Sequence, residues 1–393
     1  MNRLLVTMAA SAILALSGCG KSPLSMEMVR SEMSRCPQAS FLEGNQGKAK
    51  WDYTTGLELQ AFLDVAERYC DKAVFDYAEQ WYDWMVQDDG SITKYKVSEY
   101  SVDRVCPART LFALYDKTGK EKYRKAIDLV HSQFAGHPKT SEGALWHKAI
   151  YPHQIWLDGL YMAMPFLAEY ASRYLQESEK AGVYAEITNE FNVAARHTFD
   201  PVTGLYRHAW DESRSMFWCN PETGQSDHCW CRALGWMCMA VVETMPLVPD
   251  GTPGKKDVIE TFCGIIDALP RYADPVTGMW FQVMDRPGAE GNYVEASGSA
   301  MFVYAMLKGI RLGYLDASLK GYALKCYDKL IGTFVRVDDG GLVNMDKICS
   351  VGGLGGKNMR RGDYAYYLSE KIVSNDPKGV GPLIWAALER EAF

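Results

Sequence analysis

Apolar residues recur along the chain in stretches that are hydrophobic on nearly every face, and these alternate with stretches that are hydrophobic on one face only. The first pattern predicts buried helices, and the second predicts helices with one side in water. Each fully apolar stretch follows a loop and begins near a glycine or a proline. Six buried helices are therefore predicted, around Gly56, Pro107, Gly159, Gly235, Gly298 and Gly381.

Amphipathic stretches lie between these predicted inner helices. They are AVFDYAEQWYDWMVQ, EKYRKAIDLVHSQF, ESEKAGVYAEITNEFNVAARHT, GKKDVIETFCGIIDAL and LKGYALKCYDKLIGTFV. Inner helices that alternate with outer amphipathic ones close as a double ring. The predicted fold is therefore all-α, an (α/α)6 barrel of six helix hairpins that forms a single domain over residues 36–393. The spacing is too irregular for a solenoid array.

A short internal repeat adds strands to this picture. DPVTGLYRHAWD from Asp200 matches DPVTGMWFQVMD from Asp274. Asp-Pro and Thr-Gly predict a turn, and the aromatic alternation after each glycine predicts a short strand. We expect these β-hairpins at one mouth of the barrel, where the loops before the inner helices also meet and a pocket forms.

The N-terminus has the pattern of an export signal. Arg3 precedes an apolar run from Leu4 to Leu16, which is too short to remain as a spanning helix. Leu16-Ser17-Gly18-Cys19 resembles a bacterial lipobox, so residues 1–18 are predicted to be a lipoprotein signal peptide and Cys19 to be lipidated. Residues 19–35 are interpreted as a tether. The protein would then be exported and held at a membrane only through its lipid, in the periplasm or at the cell surface; the alternative is ordinary secretion with a chance cysteine.

Charge and cysteine usage narrow the function. The net charge of −7 makes nucleic acid an unfavourable partner, because phosphate binding needs a basic surface. The scattered cysteines predict buried free thiols rather than a disulfide framework. A cysteine cluster near His228 lacks the paired spacing of a zinc site, so no metal is predicted. The predicted buried thiols include Cys70, Cys238, Cys263 and Cys326. The cluster near His228 consists of Cys219, Cys229 and Cys231.

Asp158 is the main catalytic candidate. It is the only carboxylate between Glu142 and Glu169, in a helix predicted to begin at Pro152. A desolvated aspartate loses its charge readily, so its pKa is expected to rise toward the range useful for proton donation. The alternatives are a structural aspartate bonded to nearby backbone and a hydrated aspartate on an exposed stripe.

Asp103 precedes the inner helix around Pro107, much as Asp158 lies near the start of the next one. If both loops face the same mouth, two carboxylates meet across the pocket, which is the usual apparatus of glycoside chemistry. The alternative for Asp103 is a helix N-cap.

Further polar and aromatic side chains fall in the loops predicted at this mouth. Lys148 could pair with a uronate carboxylate, and an aromatic face could stack on a sugar ring. Arg232 and Trp236 share one helix face, so a guanidinium between two indoles would suit an acidic sugar. Solvated-loop or structural roles stay open for each of them. The candidates are Trp146, His147, Lys148, Tyr151, His208 (Gln282 in the matching repeat), Trp230, Arg232 and Trp236.

From about Trp51 to the C-terminus the chain resembles glycoside hydrolase family 105, the unsaturated rhamnogalacturonyl hydrolases. The motifs are WDYTTG, SVDRVCP, WHKAIYPHQIWLDGLYM, RHAWDES, WCRALGW, ASGSAMFVYA, GLGG and YYLSEKIVSNDPKGVGP. The resemblance implies an (α/α)6 barrel without a metal or other cofactor. It also implies hydration of the C4=C5 double bond in the terminal unsaturated uronic acid that polysaccharide lyases leave behind.

The resemblance also assigns residues. Asp158 matches the proton donor that protonates C4 while water adds at C5, and Asp103 matches the second acid. Cys106 and Cys231 stand where relatives are expected to have Asn and Gly, which affects contacts to the leaving sugar. Positions that match the substrate pocket are His147, Lys148, Tyr151, His208, Trp230, Arg232 and Trp236, with Asp52 and Tyr53 as a further segment.

Two other functions fit the same pattern. A family 88 unsaturated glucuronyl hydrolase would share the barrel and the hydration chemistry but release an amino sugar. A surface lipoprotein that captures oligosaccharide without cleaving it would share the aromatic cleft.

Overall fold

A computed structural model describes residues 22–44 and 46–393, and these residues form thirteen α-helices joined by turns and short strands. The predicted signal peptide and Cys19 lie outside the described residues. The helices are α1 Leu24–Arg35, α2 Tyr53–Tyr69, α3 Lys72–Met85, α4 Thr110–Thr118, α5 Glu121–Ser132, α6 Leu157–Tyr174, α7 Glu177–Thr198, α8 Cys231–Thr244, α9 Lys255–Ala268, α10 Ala296–Arg311, α11 Lys320–Phe334, α12 Tyr364–Ser369 and α13 Pro377–Ala392.

The predicted (α/α)6 barrel is confirmed. Helices α2, α4, α6, α8, α10 and α13 form the inner ring, in which each contacts its neighbours directly or through the 3₁₀ turn Cys106–Arg109 before α4, and α13 closes on α2. The outer helices α3, α5, α7, α9 and α11 pack on the preceding or neighbouring inner helices. The six predicted inner helices are all present.

Glycines mark the points where inner elements approach most closely. A methyl group on Gly56 would lie 2.6 Å from the Pro107 backbone, and one on Gly298 would lie 2.4 Å from the Cys231 sulfur. Any side chain at these positions would force neighbouring inner elements apart. This explains why a glycine recurs near the start of the predicted inner helices.

The interpretation of residues 19–35 as a tether is wrong for residues 24–35. Helix α1 packs on α13 and α2, and it buries Met28 and Val29 completely. It is the outer helix that pairs with α13, so the barrel begins at Leu24. Helix α1 contacts residues at the far end of the chain. For example, the Ser25 hydroxyl donates a hydrogen bond to the Glu391 carboxylate at 2.9 Å.

Four two-stranded antiparallel sheets accompany the helices. The first DPVTG repeat forms β2 and β3, but the second makes only isolated bridges, such as Ala273 with Trp280, rather than the predicted strand. The sheets pair β1 Gln154–Trp156 with β4 Ala209–Asp211, β2 Phe199–Asp200 with β3 Leu205–Tyr206, β5 Val335–Val337 with β6 Val343–Met345, and β7 Ile348–Cys349 with β8 Ile372–Val373.

Helix α6 begins at Leu157 and not at Pro152 as predicted. Residues 154–156 are extended because they pair with residues 209–211 as β1 and β4. Pro152 lies in the exposed turn before this strand, and His153 has a positive φ of 63°. The strand pairing therefore takes five residues from the predicted helix and places Asp158 in its first turn.

The described cysteines are free thiols, as predicted. Cys238 and Cys326 are buried as predicted, but Cys263 is half-buried and Cys70 is exposed at the end of α2, which corrects the expectation for these two. Across residues 22–44 and 46–393, none of the helices combines the length and apolar character needed to cross a bilayer.

Stability is expected to depend on pH through Glu190 of α7. Burial raises the pKa of Glu190 to about 8, even though its carboxylate accepts a hydrogen bond from the Leu145 N–H at 2.8 Å. The folded protein therefore takes up a proton here that the unfolded chain releases, and stability falls as pH rises from about 4.5 toward 8. Replacing Glu190 with the neutral Gln should remove this loss.

We expect Glu190→Gln to have the same Tm as the wild type near pH 5 and a higher Tm near pH 8. At pH 8 its free energy of unfolding should be larger by on the order of a few kcal/mol. Thermal unfolding at both pH values measures the difference. Glu177→Gln, at the start of the same helix and 88% exposed, is the control and should leave the pH dependence of Tm as in the wild type. A Tm advantage that is the same at both pH values would contradict the assignment.

Candidate active site

Backbone hydrogen bonds tie the loops at one mouth of the barrel together. The Val102 N–H donates to the His147 carbonyl at 3.1 Å, and the His147 N–H donates to the Gln154 carbonyl at 2.8 Å. The Leu157 N–H in turn donates to the His208 carbonyl at 3.1 Å. Because β1 pairs with β4 in this register, three segments distant in sequence, around residues 102, 147–157 and 208, place their polar side chains around the first turn of α6.

Asp158 lies in that first turn with its side chain 14% exposed. Its Oδ2 atom is 3.2 Å from Nε2 of His208. Both atoms are buried, yet they do not form a regular hydrogen bond with each other, and neither has another partner among the described residues. Buried polar atoms left in this state are uncommon and concentrate at functional sites. The predicted acid is therefore mostly buried and lies beside an unbonded histidine nitrogen in the first turn of α6.

His208 is completely buried among aromatic side chains. Its ring lies 4.8 Å from that of Trp230 and 5.5 Å from that of Trp156, centre to centre. Its Nδ1 is 2.7 Å from the hydroxyl of Tyr367, a fully buried residue of α12. Within the described chain this nitrogen is the one hydrogen-bond partner of the hydroxyl, so we expect Tyr367 to donate and Nδ1 to accept, because the opposite direction would leave the hydroxyl proton unbonded. This arrangement would place the ring proton of His208 on Nε2, which faces Asp158.

Tyr367→Phe should lower kcat about tenfold with little change in KM, because the variant no longer fixes the tautomer of His208 beside Asp158. Nitrogen-15 NMR of labelled histidine should show the His208 proton on Nε2 in the wild type and a mixture in the variant. Tyr364→Phe is the matched control on the same short helix, because its hydroxyl donates to the Glu290 carbonyl at 2.8 Å. A wild-type spectrum with the proton on Nδ1 would contradict the assignment.

Asp103 is held by two cationic or potentially cationic groups. Its Oδ1 is 3.2 Å from Nε2 of His147, and its Oδ2 forms an ion pair with Lys148. Burial alone would raise the pKa of Asp103, but Lys148 and His147 more than offset this and hold the pKa well below its usual range. Asp103 is therefore ionised at any working pH. The N-cap alternative is wrong, since its side chain caps no helix.

Lys148 is engaged by this pair. Burial lowers its pKa, but the Asp103 carboxylate outweighs burial and raises it, so the ammonium stays charged. The ammonium keeps further donors beside this ion pair, so its pairing with a uronate carboxylate stays a prediction. The ammonium also lies 5.7 Å from the centre of the Tyr151 ring.

Trp156 organises one wall of the pocket and was not predicted. Its indole is stacked between His147, at 4.7 Å, and Tyr151, at 5.0 Å, with both rings nearly parallel to it. The sequence feature that could have pointed to Trp156 is the QIW segment, which pairs as strand β1 with β4 at the mouth of the barrel. Trp146 lies on the other side of the loop, 4.6 Å from His153.

Arg232 and its two tryptophans are each about 1% exposed, and this burial favours the structural alternative for them over a binding platform for an acidic sugar. The guanidinium lies 4.6 Å from the Trp230 ring centre and donates to Ser297 Oγ at 3.2 Å and to the Cys349 carbonyl. Trp236 instead packs between Tyr53 and Tyr161. The segment around Gly352 lies directly over Trp230, which is why the indole is covered.

Asp52 and Tyr53 lie at the start of α2. Asp52 pairs with Lys50 at 3.3 Å and is 21% exposed. Burial raises the pKa of Tyr53 well above its ordinary value; Arg232 opposes this, while the carboxylates of Asp103, Asp52 and Asp158 add to it. Tyr53 therefore keeps its proton and lies within the field of both candidate acids.

The two cysteines that are expected to differ from the residues of relatives lie near the starts of two different inner helices. Cys106 is buried at the 3₁₀ turn before α4, and Cys231 is buried against Gly298 at the start of α8. Near the cysteine cluster, His228 bonds to Asp285 at 2.8 Å. Within the described ranges, no group of His, Cys, Asp and Glu side chains could hold a metal ion.

Sequence reasoning missed several groups besides Trp156. Gln282, the counterpart of His208 in the repeat, accepts a hydrogen bond from the Trp230 indole at 3.0 Å and donates to the Tyr367 carbonyl at 3.2 Å. The repeat therefore brings both positions to one site, a signal that was present in the alignment of the two repeats. Arg360 lies at the outer wall, with no local sequence signal.

Comparison with known proteins places this architecture in a family. A family model for Glycosyl Hydrolase Family 88 matches residues 24–393. A solved glycoside hydrolase from family 105 of Clostridium acetobutylicum is 42% identical, with 94% of this chain and 100% of that chain covered and a TM-score of 0.89. This chain belongs to the glycoside hydrolases of families 88 and 105. It is therefore a glycosidase, and the predicted resemblance to family 105 is confirmed.

More distant relatives extend the comparison of this family 88/105 hydrolase. The unsaturated rhamnogalacturonyl hydrolase YesR of Bacillus subtilis is 26% identical over 304 residues, which cover 75% of this chain and 80% of YesR. The unsaturated glucuronyl hydrolase from Streptococcus agalactiae is 13% identical with a TM-score of 0.66, and 94% and 90% of the two chains are covered. At that identity the second likeness shows the fold alone.

Proposed function

We propose that the enzyme releases the terminal 4,5-unsaturated uronic acid from lyase-generated oligosaccharides of the unsaturated rhamnogalacturonyl type. The observation that supports this is the buried Asp158–His208 pair, whose facing atoms lack regular hydrogen-bond partners and lie beside the rings of Trp156 and Trp230. The name of the relative YesR supports the rhamnogalacturonyl class.

In the proposed reaction Asp158 gives its proton to C4 of the unsaturated ring. The electron pair of the C4=C5 bond forms the new C4–H bond, and the cation left at C5 is stabilised by the ring oxygen. Water adds to C5 and returns a proton to Asp158, which restores the acid. The resulting hemiketal opens to a C5 ketone, and C1 then releases the neighbouring sugar. One water is consumed, and no nucleophile attacks C1, unlike in the two-carboxylate scheme.

The surrounding residues support this chemistry. The ionised Asp103 cannot supply a proton, so Asp158 is the one of the two candidate acids left to do so. The negative charge of Asp103 favours the transient cation at C5 by electrostatics. His208, with its proton on Nε2, stabilises the Asp158 carboxylate after proton transfer and positions it to accept a proton from water.

A panel of lyase-generated unsaturated disaccharides tests the proposal by following the ultraviolet absorbance of the double bond. We expect the absorbance to fall fastest when rhamnose is the leaving sugar. A faster fall with an amino sugar as the leaving sugar would favour the glucuronyl hydrolase alternative. Binding without any fall in absorbance would favour a glycan-binding protein. The predicted lipid anchor at Cys19 belongs to the same proposal, because an exported enzyme would meet such fragments outside the cytoplasm.

A further inference from the structure

Arg360 lies in a small glycine-rich hairpin at the outer wall of the pocket. Gly355 and Arg360 exchange both backbone hydrogen bonds, at 2.8 and 3.1 Å. A methyl group on Gly353 would lie 2.5 Å from the Arg360 guanidinium, and one on Gly356 would lie 3.3 Å from it. The glycines therefore make room for the guanidinium to lie flat against the backbone beside Tyr151.

This guanidinium is half-buried but weakly bonded. Among the described residues its hydrogen bonds are both long, from Nε to the Gly355 carbonyl at 3.4 Å and from Nη2 to the Tyr151 hydroxyl at 3.5 Å. No carboxylate in the described part of the chain lies within ion-pair distance of it, whereas Lys148 is paired with Asp103 and the neighbouring Arg361 with Asp363. Arg360 thus keeps donors for a planar anion, which a guanidinium binds through two parallel hydrogen bonds.

The position of Arg360 relative to Asp158 follows from the aromatic wall. Tyr151 stacks on Trp156 at 5.0 Å, Trp156 lies 5.5 Å from His208, and His208 lies 3.2 Å from Asp158. Two aromatic rings and an imidazole therefore separate the arginine from the acid. We therefore expect Arg360 to contact a sugar other than the one that Asp158 protonates.

Exposure increases along the same wall. Trp156 is 6% and Tyr151 9% exposed, while Phe217, next to Trp218 of the same apolar cluster, is 39% exposed and Met359, next to Arg360, is 61% exposed. Trp230 and Trp236 are about 1% exposed, so a sugar chain has no way out past them. We expect the sugars that follow a terminal sugar at Asp158 to run along the more exposed side, past Tyr151 and Arg360.

We infer that Arg360 and Tyr151 form a subsite that recognises the carboxylate of a second uronic acid, beyond the sugar released next to the scissile bond. The inference rests on the proposed function, in which uronic acids alternate with neutral sugars. Arg360 is then a specificity-determining residue that favours longer acidic oligosaccharides over the disaccharide.

Steady-state kinetics on the purified full chain test this with two substrates that share the unsaturated terminal sugar. One is the disaccharide with a neutral leaving sugar, and the other is the tetrasaccharide that carries a further uronic acid. We expect wild-type kcat/KM to be about tenfold higher for the tetrasaccharide, mainly through KM, and the advantage to shrink with added salt. Methyl esterification of the second uronic acid should abolish it.

Arg360→Gln should lose the tetrasaccharide advantage and keep disaccharide turnover within about twofold. Arg361→Gln is the matched control, since its neighbouring side chain is 70% exposed and faces Asp363, and it should keep the advantage. A wild type without the preference, an ester that is preferred equally, or equal losses on both substrates in Arg360→Gln would each overturn the inference. Failure to cleave even the disaccharide would instead overturn the proposed function.

Discussion

Asp158→Asn is expected to lower kcat by at least about 10³-fold and to leave KM within a few-fold of the wild-type value. The amide has the shape of the carboxyl group but cannot deliver a proton to C4 or accept one from water. Because the Asp158 side chain is mostly enclosed beside His208, bulk water cannot readily replace it as the acid. Initial rates of ultraviolet absorbance loss measure kcat, and binding of uncleaved substrate measures the retained affinity.

Glu169→Gln is the control for this variant, because Glu169 lies on the same helix and pairs with Arg173 away from the mouth. It should retain turnover within about twofold. Thermal unfolding should show that both variants remain folded. Asp158→Asn with near-normal kcat would exclude Asp158 as the acid and leave the proposed mechanism without a proton donor.

Asp103→Asn is expected to lower kcat/KM about 100-fold and to lower Tm as well. The variant leaves the Lys148 ammonium partly buried without its counter-charge, which is strongly destabilising. It also frees His147, whose ring stacks on Trp156 in the pocket wall, and misplacement of about 1 Å in such a wall can cost this much activity. Turnover kinetics and thermal unfolding measure the two effects.

The double variant Asp103→Asn with Lys148→Met separates the two roles of Asp103. It removes the unpaired charge, so Tm should recover most of the loss seen in Asp103→Asn. If Asp103 also acts on the reacting sugar by its negative charge, kcat should stay low in the double variant. Recovery of both quantities would show that Asp103 is only a counter-charge for Lys148.

The inner ring could be predicted from the sequence because its signal is local. An apolar stretch with a glycine near its start predicts a buried helix at a close contact, as Gly56 against Pro107 and Gly298 against Cys231 show. Helix α1 was missed because residues 24–35 have little sustained periodicity, and their burial depends on α13 at the other end of the chain. The start of α6 was misplaced because strand pairing with residues 209–211 overrode a helix signal at Pro152.

The candidate site also contains some residues that local sequence patterns predicted and others that they could not predict. Asp158, Asp103 and His208 lie at the mouth, as the loops before the inner helices predicted. Tyr367 and Arg360 could not be found in this way, since their partners His208 and Tyr151 are 159 and 209 residues away in sequence. The pairing of Lys148 with Asp103 and the burial of Arg232 likewise depend on side-chain packing that residue types alone do not specify.

The fate of the C4=C5 bond during cleavage tests the central proposal most directly. With the reaction run in D₂O and followed by proton NMR, the vinyl proton signal should disappear at the same rate as the neighbouring sugar is released, and one deuterium should enter a single face of C4. Release of that sugar while the vinyl proton persists would show direct attack at C1 and would contradict protonation by Asp158.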